Sequence, residues 1–91
     1  MKKLHFLICY DVSDEKRLRK VAKLLEKIAI RIQYSVFLYS HTSKNDLMQT
    51  VLKLEEIINI EEDDIRIYKV NITKSLHLKS AIDLKYPNII R

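Results

Sequence analysis

Asp11 closes the apolar run "ICYD", and a crowd of cations follows it: Lys16, Arg17, Arg19, Lys20, Lys23 and Lys27. A carboxylate can ligate a hard divalent cation, and arginine forks match phosphate oxygens in shape and charge. Together these residue types suit chemistry at a phosphodiester. One carboxylate alone makes a poor active site, because general acid–base work usually needs a second group with a separated pKa. A two-fold axis between strand ends would supply the second group by bringing Asp11 of two chains together. Like carboxylates repel, and a Mg2+ ion between them relieves the conflict.

The same residues also admit a structural account. An aspartate between strand and helix can accept from backbone N–H groups and hold the turn. Lysines along a helix commonly form a solvated face, and Arg31 can pair with a carboxylate. His5 falls within the first strand. His41 and His77 lie near element ends, too far apart in sequence to imply a shared site, although His41 is placed to reach a phosphate.

The elements that must position Asp11 follow from periodicity. "LHFLICY" alternates as a strand, with Leu4, Phe6, Ile8 and Tyr10 on one face and His5, Leu7 and Cys9 on the other. Both faces are largely apolar, which suits a central strand. A helix is predicted over residues 14–28, with Ser13 as N-cap and Leu18, Val21, Ala22, Leu25 and Ile28 as its buried stripe. Residues 29–40 are β-rich and form either one long strand or two short ones, with no Gly, Pro or Asn to mark a turn. Ser43 and Asp46 resemble a capping box that opens a second helix, striped by Leu47, Val51, Leu54 and Ile58. "EEDD", residues 61–64, reads as a solvated acidic loop, with cation binding as the lesser alternative. A further strand is expected from Ile65 to about Ile72, and "SLHLKSAID" offers a last strand before Pro87.

This β-α-β(β)-α-β order predicts a ferredoxin-like α+β fold: one antiparallel sheet with two helices on one face. With 91 residues the chain has room for a single domain and one modest core. The apolar share of 47% makes it globular. The net charge of +5 favours polyanionic partners. Glycine is absent, which excludes a glycine-rich phosphate loop. Cys9 is the single cysteine, so no intrachain disulfide forms and a cytoplasmic setting is expected. The opening "MKKLHFLIC" reads as a buried strand rather than a signal peptide, and no apolar run approaches membrane-spanning length.

"YDVSDEKRLRKVAKLL" followed by "RIQYSVF" resembles the CRISPR-associated protein two family, the smaller core protein of spacer acquisition. The match is colinear over roughly residues 4–70, and residues 72–91 form a variable C-terminal segment. The resemblance implies a ferredoxin-like homodimer whose sheets face each other, with the last strand crossing to the partner. It implies a metal-dependent endonuclease acting on single-stranded RNA or duplex DNA. It also implies a partnership with the integrase, CRISPR-associated protein one, in which the dimer holds the incoming duplex. Carried over residue by residue, Asp11 is the catalytic metal ligand for Mg2+ or another divalent cation. Arg17, Arg19, Arg31 and Phe37 are the nucleic-acid-binding residues, with packing at the dimer interface as the other role for Phe37. One departure stands out: the turn before the second motif, where the family usually carries glycine, reads "KIAIR" here.

Other functions compete. A catalytically silent DNA-binding scaffold bridging integrase dimers needs only positive surface and a docking edge. A small-molecule sensor on the same fold lacks a ligand motif. A toxin ribonuclease of similar fold is disfavoured by "RIQYSVF".

Overall fold

A computed structural model describes residues 3–71. The elements are β1 (Leu4–Asp11), α1 (Glu15–Glu26), β2 (Ile30–Gln33), β3 (Val36–Thr42), α2 (Lys44–Ile57) and β4 (Asp64–Lys69). The strands form one antiparallel sheet in the order β2-β3-β1-β4. This is the ferredoxin-like arrangement expected from the sequence, and it makes β1 a central strand. Its neighbours pair through Ile8↔Phe37 on one side and Ile8↔Ile67 on the other. The expected last strand and Pro87 lie outside the described residues.

The two faces of β1 sort as the alternation requires. Ile8 and Tyr10 pack with Val12, Val21, Leu25, Phe37 and Leu54 between sheet and helices. Leu7 packs with Val36 and Leu38 on the opposite face, flanked by Cys9, Ile32, Tyr68 and Val70. Each buried aliphatic or aromatic side chain contributes roughly 1.5–3 kcal/mol of transfer free energy.

Helix boundaries depart from the sequence expectation for identifiable reasons. The N-cap of α1 is Asp14, not Ser13: its carboxylate accepts from the Arg17 backbone N–H at 2.9 Å. Ser13 is occupied elsewhere, donating both its N–H and its hydroxyl to Asp63. The helix stops at Glu26, and Ile28, expected in the buried stripe, is 36% exposed. No left-handed residue closes it. Lys27 keeps right-handed angles (φ −78°, ψ −22°), and the Ala29 N–H reaches the Leu25 carbonyl at 2.8 Å. The "KIAIR" turn therefore works without glycine. Ser43 caps α2 as expected, accepting from Asp46 N–H at 3.1 Å.

Residues 29–40 resolve into two strands. Gln33 pairs with Val36, leaving Tyr34 and Ser35 as a two-residue hairpin loop. Ser35 takes φ 65° there, the conformation a glycine-free chain must force on another residue. The carbonyl of Ser35 accepts from the Tyr10 N–H at 3.1 Å, which fastens the turn to β1. β4 ends at Lys69 rather than near Ile72, although the Val70 N–H still bonds the His5 carbonyl at 2.9 Å.

Ser35→Gly is expected to stabilise the fold by about 0.5 kcal/mol. It relieves a left-handed penalty of about 1 kcal/mol against roughly 0.5 kcal/mol of added chain entropy. Ser35→Val should shift the urea midpoint in the opposite direction, because a β-branched residue tolerates φ > 0 least.

Candidate functional site

Asp11 ends β1 and is exposed, directly opposite Asp64 in the ladder with β4. Like charges facing each other across strands repel. Asp64 is drawn along its own strand, where it accepts from Arg66 Nε at 2.8 Å. The Asp11 side chain makes no hydrogen bond or ion pair with another described residue. The turn-holding role that the sequence allowed it belongs to two other carboxylates, Asp14 at the helix cap and Asp63 beneath the loop.

Asp63 corrects the reading of "EEDD" as a plainly solvated loop. Its side chain has no exposed surface. It accepts from Ser13 N–H at 3.0 Å, Ser13 Oγ at 3.2 Å and Asn59 N–H at 2.9 Å. Arg17 adds a fork, Nε at 2.8 Å and Nη2 at 3.1 Å, and Nη2 also reaches Glu62 at 3.2 Å. Arg17, expected as a phosphate clamp, is thus committed within its own chain. The Arg17 guanidinium holds the Asp63 carboxyl far below its ordinary range, helped by the Asn59 and Ser13 donors and opposed by burial. Asp63 in turn raises Arg17. No sequence spacing pointed to Asp63. The available signal was an acid just before a strand, and its partners lie 46 and 50 positions away.

Arg31 stands on an aromatic base. Its guanidinium carbon lies 4.9 Å from the Phe37 ring centroid, and Nη2 pairs with Glu26 at 3.2 Å. The Tyr10 ring stacks against Phe37 with centroids 6.1 Å apart. Burial pushes the Tyr10 phenol up, with Arg31 pulling the other way. Phe37 itself is fully buried between sheet and helices. It therefore neither stacks on a base nor packs at a sheet-to-sheet interface; its position in β3 places it in the core beneath Arg31.

Arg19 is exposed, with only a 4.0 Å contact to Glu15 one turn back. Such a surface pair contributes little. Arg19, Lys20, Lys23 and Arg31 line an open groove of about 400 Å³ with Ala22 and Glu26. The structure thus brings Arg19 and Arg31 together and separates both from Arg17. His41 is exposed and its N–H donates to His5 Nδ1 at 3.1 Å; the two rings meet edge to face at 4.9 Å. Burial first, then His41, lowers the His5 pKa. His77 lies outside the described residues. Among the described residues no three His, Cys, Asp or Glu side chains converge as a metal cluster, and no helix is long and apolar enough to cross a membrane.

The profile of the family described as CRISPR associated protein Cas2 matches residues 4–76. The chain is 46% identical over 65 residues to the CRISPR-associated endoribonuclease Cas2 2 of Synechocystis sp., covering 69% of this chain and 68% of that one. It is 39% identical over 93 residues to the CRISPR-associated endonuclease Cas2 of Halalkalibacterium halodurans, covering 91% and 96%. A chain of the partial Cas6-RT-Cas1–Cas2 complex superposes with a TM-score of 0.67 at 38% identity, covering 75% of this chain and 74% of that one.

Phe37→Ala should destabilise the protein by about 3–5 kcal/mol in urea unfolding, the range for a buried aromatic. A surface base-stacking residue would change stability by no more than about 0.5 kcal/mol. Asp63 has a folded pKa below its unfolded one, so its contribution is complete above the ordinary aspartate value of about 4 and is lost as pH falls below it. The difference in urea midpoint between wild type and Asp63→Asn should accordingly be constant near neutrality and shrink steadily below pH about 4.

Proposed function

Because the chain belongs to the Cas2 family, we propose that it is a homodimeric, Mg2+-dependent endonuclease that hydrolyses phosphodiesters of single-stranded RNA or duplex DNA. We propose further that in spacer acquisition the dimer docks Cas1, the integrase, and holds its duplex in the cytoplasm. The observation that carries the nuclease reading is Asp11: an exposed carboxylate at the end of the central strand, without a side-chain partner among the described residues, while Asp14 and Asp63 hold the turn. The names of the Synechocystis and Halalkalibacterium relatives support a nuclease, and the Cas1–Cas2 complex supports the partnership.

One carboxylate per chain fits a divalent ion only in part, since no protomer offers a three-ligand cluster among its described residues. A second copy would contribute the second carboxylate, and Mg2+ keeps several waters of its own. When bound there, the ion supplies charge neutralisation and a water of lowered pKa. Asp11 would be the ligand. Arg19 and Arg31, sharing a groove with Lys20 and Lys23, would hold the phosphodiester backbone.

The groove also favours a second reading, a catalytically silent scaffold that only binds duplex. Phosphate contacts need no catalysis, and their affinity is sequence-independent and salt-sensitive.

Labelled single-stranded RNA and duplex DNA should be cut with Mg2+ and not with chelator. Asp11→Asn should lower the rate on the order of 100-fold, the scale of losing a group that acts in the transition state. Duplex binding should persist in that variant. Arg19→Glu with Arg31→Glu should weaken binding and flatten its salt dependence, by about 0.9 in the log–log slope for each phosphate no longer neutralised. Equal cutting by wild type and Asp11→Asn would remove the site assignment. Absence of cutting with intact salt-dependent binding would leave the scaffold.

A further inference from the structure

The Asp11 side chain has no partner among the described residues, so its aim is set by the backbone that carries it. That backbone is tied at several points. Asp11 pairs with Asp64 across the β1–β4 ladder, Val12 is buried in the core, and Ser13 is held by Asp63 through both its N–H and its hydroxyl. Asp63 immediately precedes Asp64. The contacts therefore close a ring: Asp11, Val12 and Ser13 on one strand end, Asp63 and Asp64 on the other, joined at both ends. Within that ring Asp11 and Asp64 repel, and the Asp63 grip on Ser13 opposes their separation.

We infer that Asp63 is a positioning residue for Asp11: its buried carboxylate, anchored by the Arg17 fork and the Asn59 N–H, fixes the strand end from which Asp11 projects. Arg17 acts in this assembly as a strut rather than a phosphate clamp. A neutral amide in place of the carboxylate still accepts from Ser13 or Asn59 but loses the charge-assisted fork. The two residues form one unit, so their substitutions are non-additive. The inference rests on the assignment of Asp11 as the metal ligand.

Asp63→Asn, Arg17→Gln and the double variant test it. Asp11→Asn serves as the reference for the site, and Leu25→Ala as a destabilised core control away from the strand end. The reporter independent of activity is the 15N order parameter of residues 11–14, measured on the folded dimer. Wild type should show rigid values of about 0.85, and Asp63→Asn should fall toward about 0.6 at these positions with both helices intact. Mg2+-dependent cleavage should drop at least tenfold in Asp63→Asn and in Arg17→Gln, and no further in the double variant. The salt slope of duplex binding should stay unchanged in both. Leu25→Ala should keep wild-type order at residues 11–14 and wild-type cleavage at temperatures where it is folded. If a loss of the fork unfolds the chain, Arg17→Lys keeps the charge without the fork and should show the same local loosening.

Unchanged order at residues 11–14 in Asp63→Asn overturns the inference, whatever the activity. So does loosened backbone with wild-type cleavage. A salt slope reduced by about one in Arg17→Gln also overturns it, since Arg17 would then touch phosphate. Cleavage retained in Asp11→Asn sinks the site assignment instead, and the order parameters still decide whether Asp63 holds the strand end.

Discussion

A carboxylate shut away from water must be met by donors or it is not tolerated. Asp63 meets this requirement with five hydrogen bonds from three separate segments: the β1–α1 loop, the first turn of α1 and the loop that follows α2. The constraint organises its surroundings. Because Ser13 serves Asp63, the helix cap passes to Asp14. Because Arg17 serves Asp63, one of the cations nearest Asp11 in sequence is committed to a partner within its own chain. Because both turn-holding duties are filled, the Asp11 carboxylate has no partner among the described residues.

The remaining cations divide by environment rather than by sequence neighbourhood. Arg31 lies over Phe37, with Glu26 beside it, so its guanidinium is oriented while part of it still faces solvent. A cation over an aromatic face contributes about 0.5–1 kcal/mol at an exposed site. Phe37 thereby does two things at once, filling the core from β3 and supporting Arg31. Arg19 on α1 is exposed, and among the described residues its one ion pair is a 4.0 Å contact to Glu15. The groove these residues share gathers exposed and oriented positive charge, of a kind that matches a backbone of phosphates.

Family membership and architecture agree on a small sheet with two unlike faces. One face is covered by α1 and α2. The other carries a second apolar cluster with no described helix over it. Leu7, Val36 and Leu38 are themselves buried within the chain, so both faces of the sheet contribute to the core.

Much of this was legible in the sequence. Alternation in "LHFLICY" and the three- and four-residue steps of the helices determined the elements and the two apolar faces, since those periods are properties of local backbone geometry. Ser43 announced its cap, and Asp11 could be picked out as a carboxylate at a strand end. The hairpin at Tyr34 and Ser35 could not be read, because a serine in the left-handed region carries no signature that glycine would have given. Nor could the burial of Phe37 be told from exposure, since either fits a strand position. The fates of Arg17 and Arg19 diverged for a tertiary reason. They sit two residues apart on one basic helix, and only the return of the chain at Asp63 decides which becomes a strut and which stays free. A contact between residues 46 positions apart leaves no period and no spacing, so the fold alone could choose it.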